Sequence, residues 1–193
     1  MKTLTGLVFV LSLVLGAGAC GDASAGARGD ASAGAHSEQS GALHAVGQCF
    51  RQHGIPNFQD PVVASTGHVY YDSRSIGDAG RATADAALQA CRDQMAAAGV
   101  SAGSQPPAPP QLVAAGVRAA QCLRANGLPA VRDPTPDTPF TPGHGFSLTD
   151  QDFGGSWPVG GKANPAVRAA LQACRGLLDK EIEASTLSSL SHD

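Results

Sequence analysis

The stretch CFRQHGIPNFQDP begins at Cys49 and returns at Cys122 as CLRANGLPAVRDP. Further on, AALQACR ends at Arg92 and returns unchanged ending at Arg175. Two cysteine-bearing segments in the same order, twice over, leave few architectures open. The chain is expected to hold two copies of one small unit, each closed through its own pair of cysteines. Four cysteines allow three pairings, and duplication favours Cys49–Cys91 with Cys122–Cys174, because each copy then repeats the same closed loop. On the chain-entropy account each crosslink contributes about 4 kcal/mol, comparable with the whole stability margin of a small domain. Aromatic residues make up only 5% of the chain, so a large core is not expected and staples would help.

The repeated words read as helix boundaries. Val46, Cys49, Phe50 and His53 recur at helical spacing, as do Ala115, Ala119, Cys122 and Leu123. Gly54 and Gly127 can take the left-handed conformation that ends a helix, and Ile55 or Leu128 supplies the apolar contact back onto the last turn. Pro56 and Pro129 then forbid continuation. Asp60-Pro61 and Asp133-Pro134 read as turns into irregular stretches with short strands at 68–71 and 146–148. Each copy closes with a second helix. One carries Leu88, Cys91 and Met95 on its apolar face and stops at Gly99. The other opens with Asn164 as N-cap and Pro165 in the first turn, and carries Val167, Leu171, Cys174 and Leu178. The expected fold is mainly α: duplicated helix–loop–helix modules, each with one internal disulfide and a short β-hairpin in the connecting stretch.

The remaining segments place these modules. Residues 1–19 combine Lys2, an apolar run and small residues at Ala17, Gly18 and Ala19, which is the pattern of a secretory signal peptide. Cys20 directly follows, as in a bacterial lipobox, although Ala17 stands where Leu is usual. Lipidation of Cys20 also resolves the cysteine count, since five cysteines in an exported chain would leave one unpaired. Residues 20–41, with GDASAGAR nearly repeated as GDASAGAH, lack bulky apolar side chains and are expected to be a flexible, lipid-anchored tether. The Arg28-Gly29-Asp30 triplet falls out of that tandem repeat and is not read as an adhesion site. Module 1 then covers 42–100, a proline-rich linker 101–111, module 2 112–185, and a flexible tail 186–193.

Chemistry is harder to find. A net charge of −3 with 15% charged residues offers no basic field for nucleic acid. Cys49 and His53 stand at i, i+4, but the second copy has Asn126 in place of His53, and no CxxC or HxxxH accompanies either. There is no C-x-x-C-H for haem and no G-x-S-x-G nucleophile elbow, so neither a catalytic residue nor a cofactor or metal is expected. His144, Asp150 and Asp152 fall in an irregular stretch and read as turn residues. Arg51 and Arg124 occur in both copies and are the candidate anion-binding residues. Arg92 and Arg175, each just after a cysteine, are likewise shared; for both sets a helix-end charge that complements the dipole and caps carbonyls is the favoured alternative.

At these residues the chain resembles a family of small exported proteins and lipoproteins from high-GC Gram-positive bacteria. Their recurring text is close to CMRxHGVPxFPDP followed by ACxxLL. Cys49 to Pro61 with Ala90-Cys91 match in module 1, and Cys122 to Pro134 with Ala173 to Leu178 in module 2. Departures are Phe50 and Leu123 for Met, Asn126 for His, and Gln59 and Arg132 for the first Pro of PDP. The resemblance carries no established activity; members often lie beside genes for efflux-type transporters, which implies an accessory role at the envelope. The expectation is therefore a non-catalytic lipoprotein on the outer face of the cytoplasmic membrane, with the membrane and an envelope or transporter protein as partners. A secreted enzyme with a site between the modules and a purely structural envelope protein are the alternatives.

Overall fold

The computed structural model describes residues 29–192 apart from 102 and 104. The signal segment 1–19, Cys20 and the start of the tether lie outside the described residues. About 55% of the chain is helical, with two small hairpins and both expected disulfides. Helix α1 (Gly29–Gln52) opens module 1, followed by strands β1 (Val62–Val63) and β2 (Val69–Tyr70) and helices α2 (Ser73–Asp78), α3 (Arg81–Ala90) and α4 (Arg92–Ala97). Module 2 repeats the plan with α5 (Pro110–Ala125), β3 (Phe140–Thr141), β4 (Gly145–Phe146), α6 (Pro165–Ala173) and α7 (Arg175–Ala184), and adds α8 (Leu187–Leu190). Each hairpin is antiparallel, pairing Val62 with Tyr70 and Phe140 with Phe146.

The helix stops work alike in both modules. Gly54 and Gly127 sit at φ 96° and 97°, a region that costs glycine nothing. The next residue's N–H reaches back to the last turn, from Ile55 to the Phe50 carbonyl and from Leu128 to the Leu123 carbonyl, at 3.1 and 3.0 Å. Ile55 and Leu128 are themselves buried, as the Schellman arrangement requires.

Disulfides Cys49–Cys91 and Cys122–Cys174 join residues 42 and 52 apart, each with Cα atoms separated by 5.8 Å. The expected single second helix is in fact two. The backbone leaves the helix at Cys91 (φ −97°, ψ 7°) and at Cys174 (φ −99°, ψ 6°), so α3 turns into α4, and α6 into α7, at the bonded cysteine. Neither break has a proline or glycine at its centre; in both modules it falls on the residue tied to the opening helix.

Three further expectations are corrected. Helix α1 begins at Gly29, well inside the segment expected to be a tether, because its Ala-rich text suits helix and extends a helix whose later turns are packed. The proline-rich linker ends before the expected residue 111 and is anchored to its neighbours. Pro110 and Gln111 already belong to α5, Ala108 is buried, and the Pro107 carbonyl accepts the Tyr70 hydroxyl at 2.8 Å. The Ala108 N–H in turn bonds the Pro136 carbonyl at 2.8 Å, so the segment is held to both modules. Nor is the described part of the expected tail, 186–192, loose: α8 puts Leu187 (6% exposed) and Leu190 (0%) into a cluster with Ala64 and Tyr70 of module 1 and Leu112 and Phe140 of module 2. Two leucines in eight residues suffice once a ready-made apolar seam lies between the modules. Beside this shared cluster, one core forms around Phe50, Phe58, Cys91 and Met95, and another around Leu123, Val131, Val167 and Cys174.

Replacing Leu190 by Ala is expected to cost about 2–5 kcal/mol in urea unfolding, the range for an emptied core leucine. A change under about 0.5 kcal/mol, typical of exposed positions, would show that α8 does not belong to the core.

Candidate functional site

The shared arginines are the natural starting point, because both copies keep them. Arg51 donates through Nη1 to the Phe58 carbonyl at 2.9 Å and to Asp60 Oδ1 at 2.7 Å. Arg124 does the same with the Val131 carbonyl at 2.8 Å and Asp133 Oδ1 at 2.8 Å. The Asp of each Asp-Pro is thus more than a turn residue. It closes a clasp that folds the chain after the helix stop back onto the helix. The anion each Arg51 and Arg124 would hold is supplied from within the chain, and the clasp explains why Arg and Asp-Pro recur together. Gly47 lies under the first clasp, where a Cβ would collide with the Asp60 carboxylate. Arg175 likewise faces Asp179 along its own helix, at 3.8 Å.

Module 1 adds His44, whose Nδ1 lies 2.8 Å from Asp60 Oδ2. Burial pushes the Asp60 carboxyl up, but the hydrogen bonds and charges of Arg51 and His44 outweigh it and hold it below its ordinary 3.8. A second pair of aspartates is equivalent in use though not aligned by any obvious motif. Buried Asp72 accepts the Gln59 N–H at 3.1 Å and caps α2 through the Ser75 N–H. Buried Asp152 accepts the Arg132 N–H at 3.3 Å and both donors of Thr149. Gln59 and Arg132 occupy the same place in the two copies, so both aspartates pin the chain just past the clasp. Asp152 is therefore fully used in local hydrogen bonds. His144, exposed in the β3–β4 turn, and Asp150, exposed at the start of a 3₁₀ turn, do not converge with it. Cys49 is bonded to Cys91 and leaves no thiolate beside exposed His53. Among the described residues no three His, Cys, Asp or Glu side chains gather as a metal-holding group, and no helix is long and apolar enough to cross a membrane.

What the sequence reading did not find is a cavity of about 520 Å³ in module 2, between α5, α7, β4 and the segment carrying Asp133. Its walls include Leu123, Val131, Phe146 and Leu178. The aligned positions in module 1 are Phe50, Phe58 and Met95 for Leu123, Val131 and Leu178. There Phe50 and Phe58 stack at 4.3 Å and are 0% and 2% exposed. Val46 of module 1 is matched by Ala119, which also lines the cavity. The same frame is filled with large side chains in one module and lined with smaller ones in the other.

One polar side chain stands out on this lining. Glu181 is 5% exposed, and its Oε1 accepts the Phe146 N–H at 2.7 Å. Burial raises its carboxyl above the ordinary 4.5, although the Phe146 bond opposes the shift. The approach needs a glycine at 145, which sits at φ 74° and where a Cβ would fall 2.5 Å from Oε1. Ser185 completes the latch, accepting the Gly145 N–H at 3.0 Å while its backbone carbonyl takes the Gly143 N–H at 2.9 Å. A signal for Glu181 was present: it continues the apolar spacing Cys174, Leu178, and the matching residue in module 1 is Ala98.

Compared with protein-family models, with curated proteins and with solved structures, the chain matches none.

The two carboxyls should act on stability with opposite signs. The Asp60 pKa is lowered in the fold, so its contribution is complete above the unfolded value near 3.8 and lost as pH falls through the folded value. The Glu181 pKa is raised, so its contribution is present below 4.5 and lost as pH climbs through the folded value. Urea midpoints measured between about pH 3 and pH 7 should show a flatter acid limb in Asp60→Asn. In Glu181→Gln the decline on the rising side of 4.5 should disappear. Slopes unchanged from the parent would refute the respective assignment.

Proposed function

We propose that this chain is an exported, non-catalytic binding protein, held by lipid at Cys20 on the outer face of the cytoplasmic membrane, whose ligand site is the cavity of module 2. The observation that carries the reading is the contrast between the modules. The frame of disulfide, helix stop and Arg–Asp clasp is common to both, yet the positions that Phe50 and Phe58 fill in module 1 bear Leu123 and Val131 in module 2. A fold that needed only packing would gain by filling both. An apolar concavity with a few polar groups is the form small-molecule sites take. An envelope or transporter protein is the partner to which a tethered binder would deliver its ligand.

Two measurements test this. Cys20→Ala should move the chain from the membrane fraction to the medium; retention at the membrane would remove the lipid anchor. The double substitution Leu123→Phe with Val131→Phe copies the module 1 stack into module 2. It should leave the helical content intact and abolish the amide shifts that apolar fragments induce around Phe146 and Leu178 in NMR spectra. Fragment shifts that map elsewhere, or persist in the double variant, would refute the cavity as the site.

A further inference from the structure

We infer that the module 2 cavity takes a small apolar molecule bearing one protonated amine, with the amine seated on Glu181; this deepens, and rests on, the reading of the cavity as a ligand site. Glu181 is nineteen-twentieths buried, yet only one of its oxygens has a partner. Oε1 takes the Phe146 N–H; Oε2 has no hydrogen bond or ion pair among the described residues. A carboxylate that accepts one bond while withdrawn from water is left short of donors, and a donor arriving with the ligand would supply them. The hairpin bond to the Phe146 N–H engages only Oε1 and asks for an acceptor rather than a charge, and module 1 has buried Ala98 at the matching position.

The other charges on the lining fix the sign. Asp133 is balanced by Arg124, and Asp152 is satisfied by Thr149 and the Arg132 N–H. Arg132 and Asp137 are both exposed and cancel in net charge. Asp152 and Glu181 remain without a cation, so the lining is net negative, and of the two only Glu181 has an oxygen without a donor among the described residues. An anionic ligand would set like charge against it, and a pure hydrocarbon would leave Oε2 unpaired. No three His, Cys, Asp or Glu side chains gather as a metal-holding group among the described residues. An ammonium presents donors to Oε2 and opposite charge at once, while Leu123, Val131, Phe146 and Leu178 receive the apolar body.

The test is calorimetric titration of the purified full chain, at neutral pH, with three probes of one shape: 4-phenylbutylamine, 4-phenylbutanol and 4-phenylbutyrate. The amine should bind about tenfold tighter than the alcohol, and the carboxylate weakest, as a charge-assisted hydrogen bond implies. Glu181→Gln keeps an acceptor for the Phe146 N–H and should bring the amine down to the alcohol's affinity. Leu123→Phe with Val131→Phe should bind none of the three. Amine and alcohol binding equally to the parent chain would overturn the amine assignment while leaving the cavity in place, and that comparison does not depend on how the variant folds. An amine preference that survives in Glu181→Gln would do the same. If neither amine nor alcohol binds, or the double Phe variant binds both unchanged, the cavity reading falls and this inference with it.

Discussion

Everything else in each module hangs on a disulfide placed at a helix break. Cys49 and Cys122 lie near the ends of their opening helices, and their partners Cys91 and Cys174 sit where the second helix turns. The bond therefore holds one end of the module closed whatever the chain does between. That explains how a sequence with so few aromatics can afford long irregular stretches between its bonded cysteines, which stand 42 residues apart in one module and 52 in the other. A crosslink removes most of its entropy from the unfolded chain, so its stabilisation does not require the connecting stretch to be well packed. The Arg–Asp clasp and the buried Asp72 or Asp152 then fix only the first residues beyond the helix stop. Past those pins, the stretch is free to vary.

The cavity lies where that freedom is used. In module 1 the space above the disulfide is taken by Phe50, Phe58 and Met95, an ordinary dense core. In module 2 the longer connection carries Pro134 and Phe146 over the opening helix, and Gly116 lets them come close: a Cβ there would lie 2.7 Å from both. The hairpin is thereby hung on Glu181 of α7 and Ser185 just after it, and side chains do not close the space below it. Open, partly polar space of this kind admits solvent and is cheaper than a sealed apolar void of the same size. Module 2 also rests against module 1 through the cluster of Tyr70, Phe140, Leu187 and Leu190.

The parts of this architecture that were legible in the sequence are those written twice. The disulfide pairing, the glycine stops and the two-module plan follow from comparing one copy with the other. The clasp was visible as two separate signals, a shared Arg and a shared Asp-Pro, and only geometry joined them. What stayed hidden depends on contacts between segments far apart in the chain. Nothing local in Thr186 to Asp193 distinguishes a tail from a docked turn until the seam between the modules exists. Neither does the proline-rich segment announce that Ala108 is buried. Helix α1 runs back to Gly29 because its Ala residues tolerate helix although its Gly and Ser residues read as tether, and the packed turns at its C-terminal side decide for helix. The cavity is the plainest case. Leu123 and Val131 are unremarkable core residues by themselves, and become a statement about space only beside Phe50 and Phe58.

That comparison bears on how function enters a duplicated fold. Two modules closed by the same staple do not both need a full core, because the seam between them adds apolar burial that neither has alone. One copy can keep dense packing and carry the stability, while the other gives up side-chain volume and accepts a buried carboxyl. Glu181 would be a defect in an isolated small module, where an apolar residue such as Ala98 packs without loss. It is tolerable here because α7, the helix that carries it, lies along α5 and is continued by α8 into the shared cluster. The same carboxyl that faces the cavity also holds the hairpin that roofs it, so the opening and its roof cannot be altered independently.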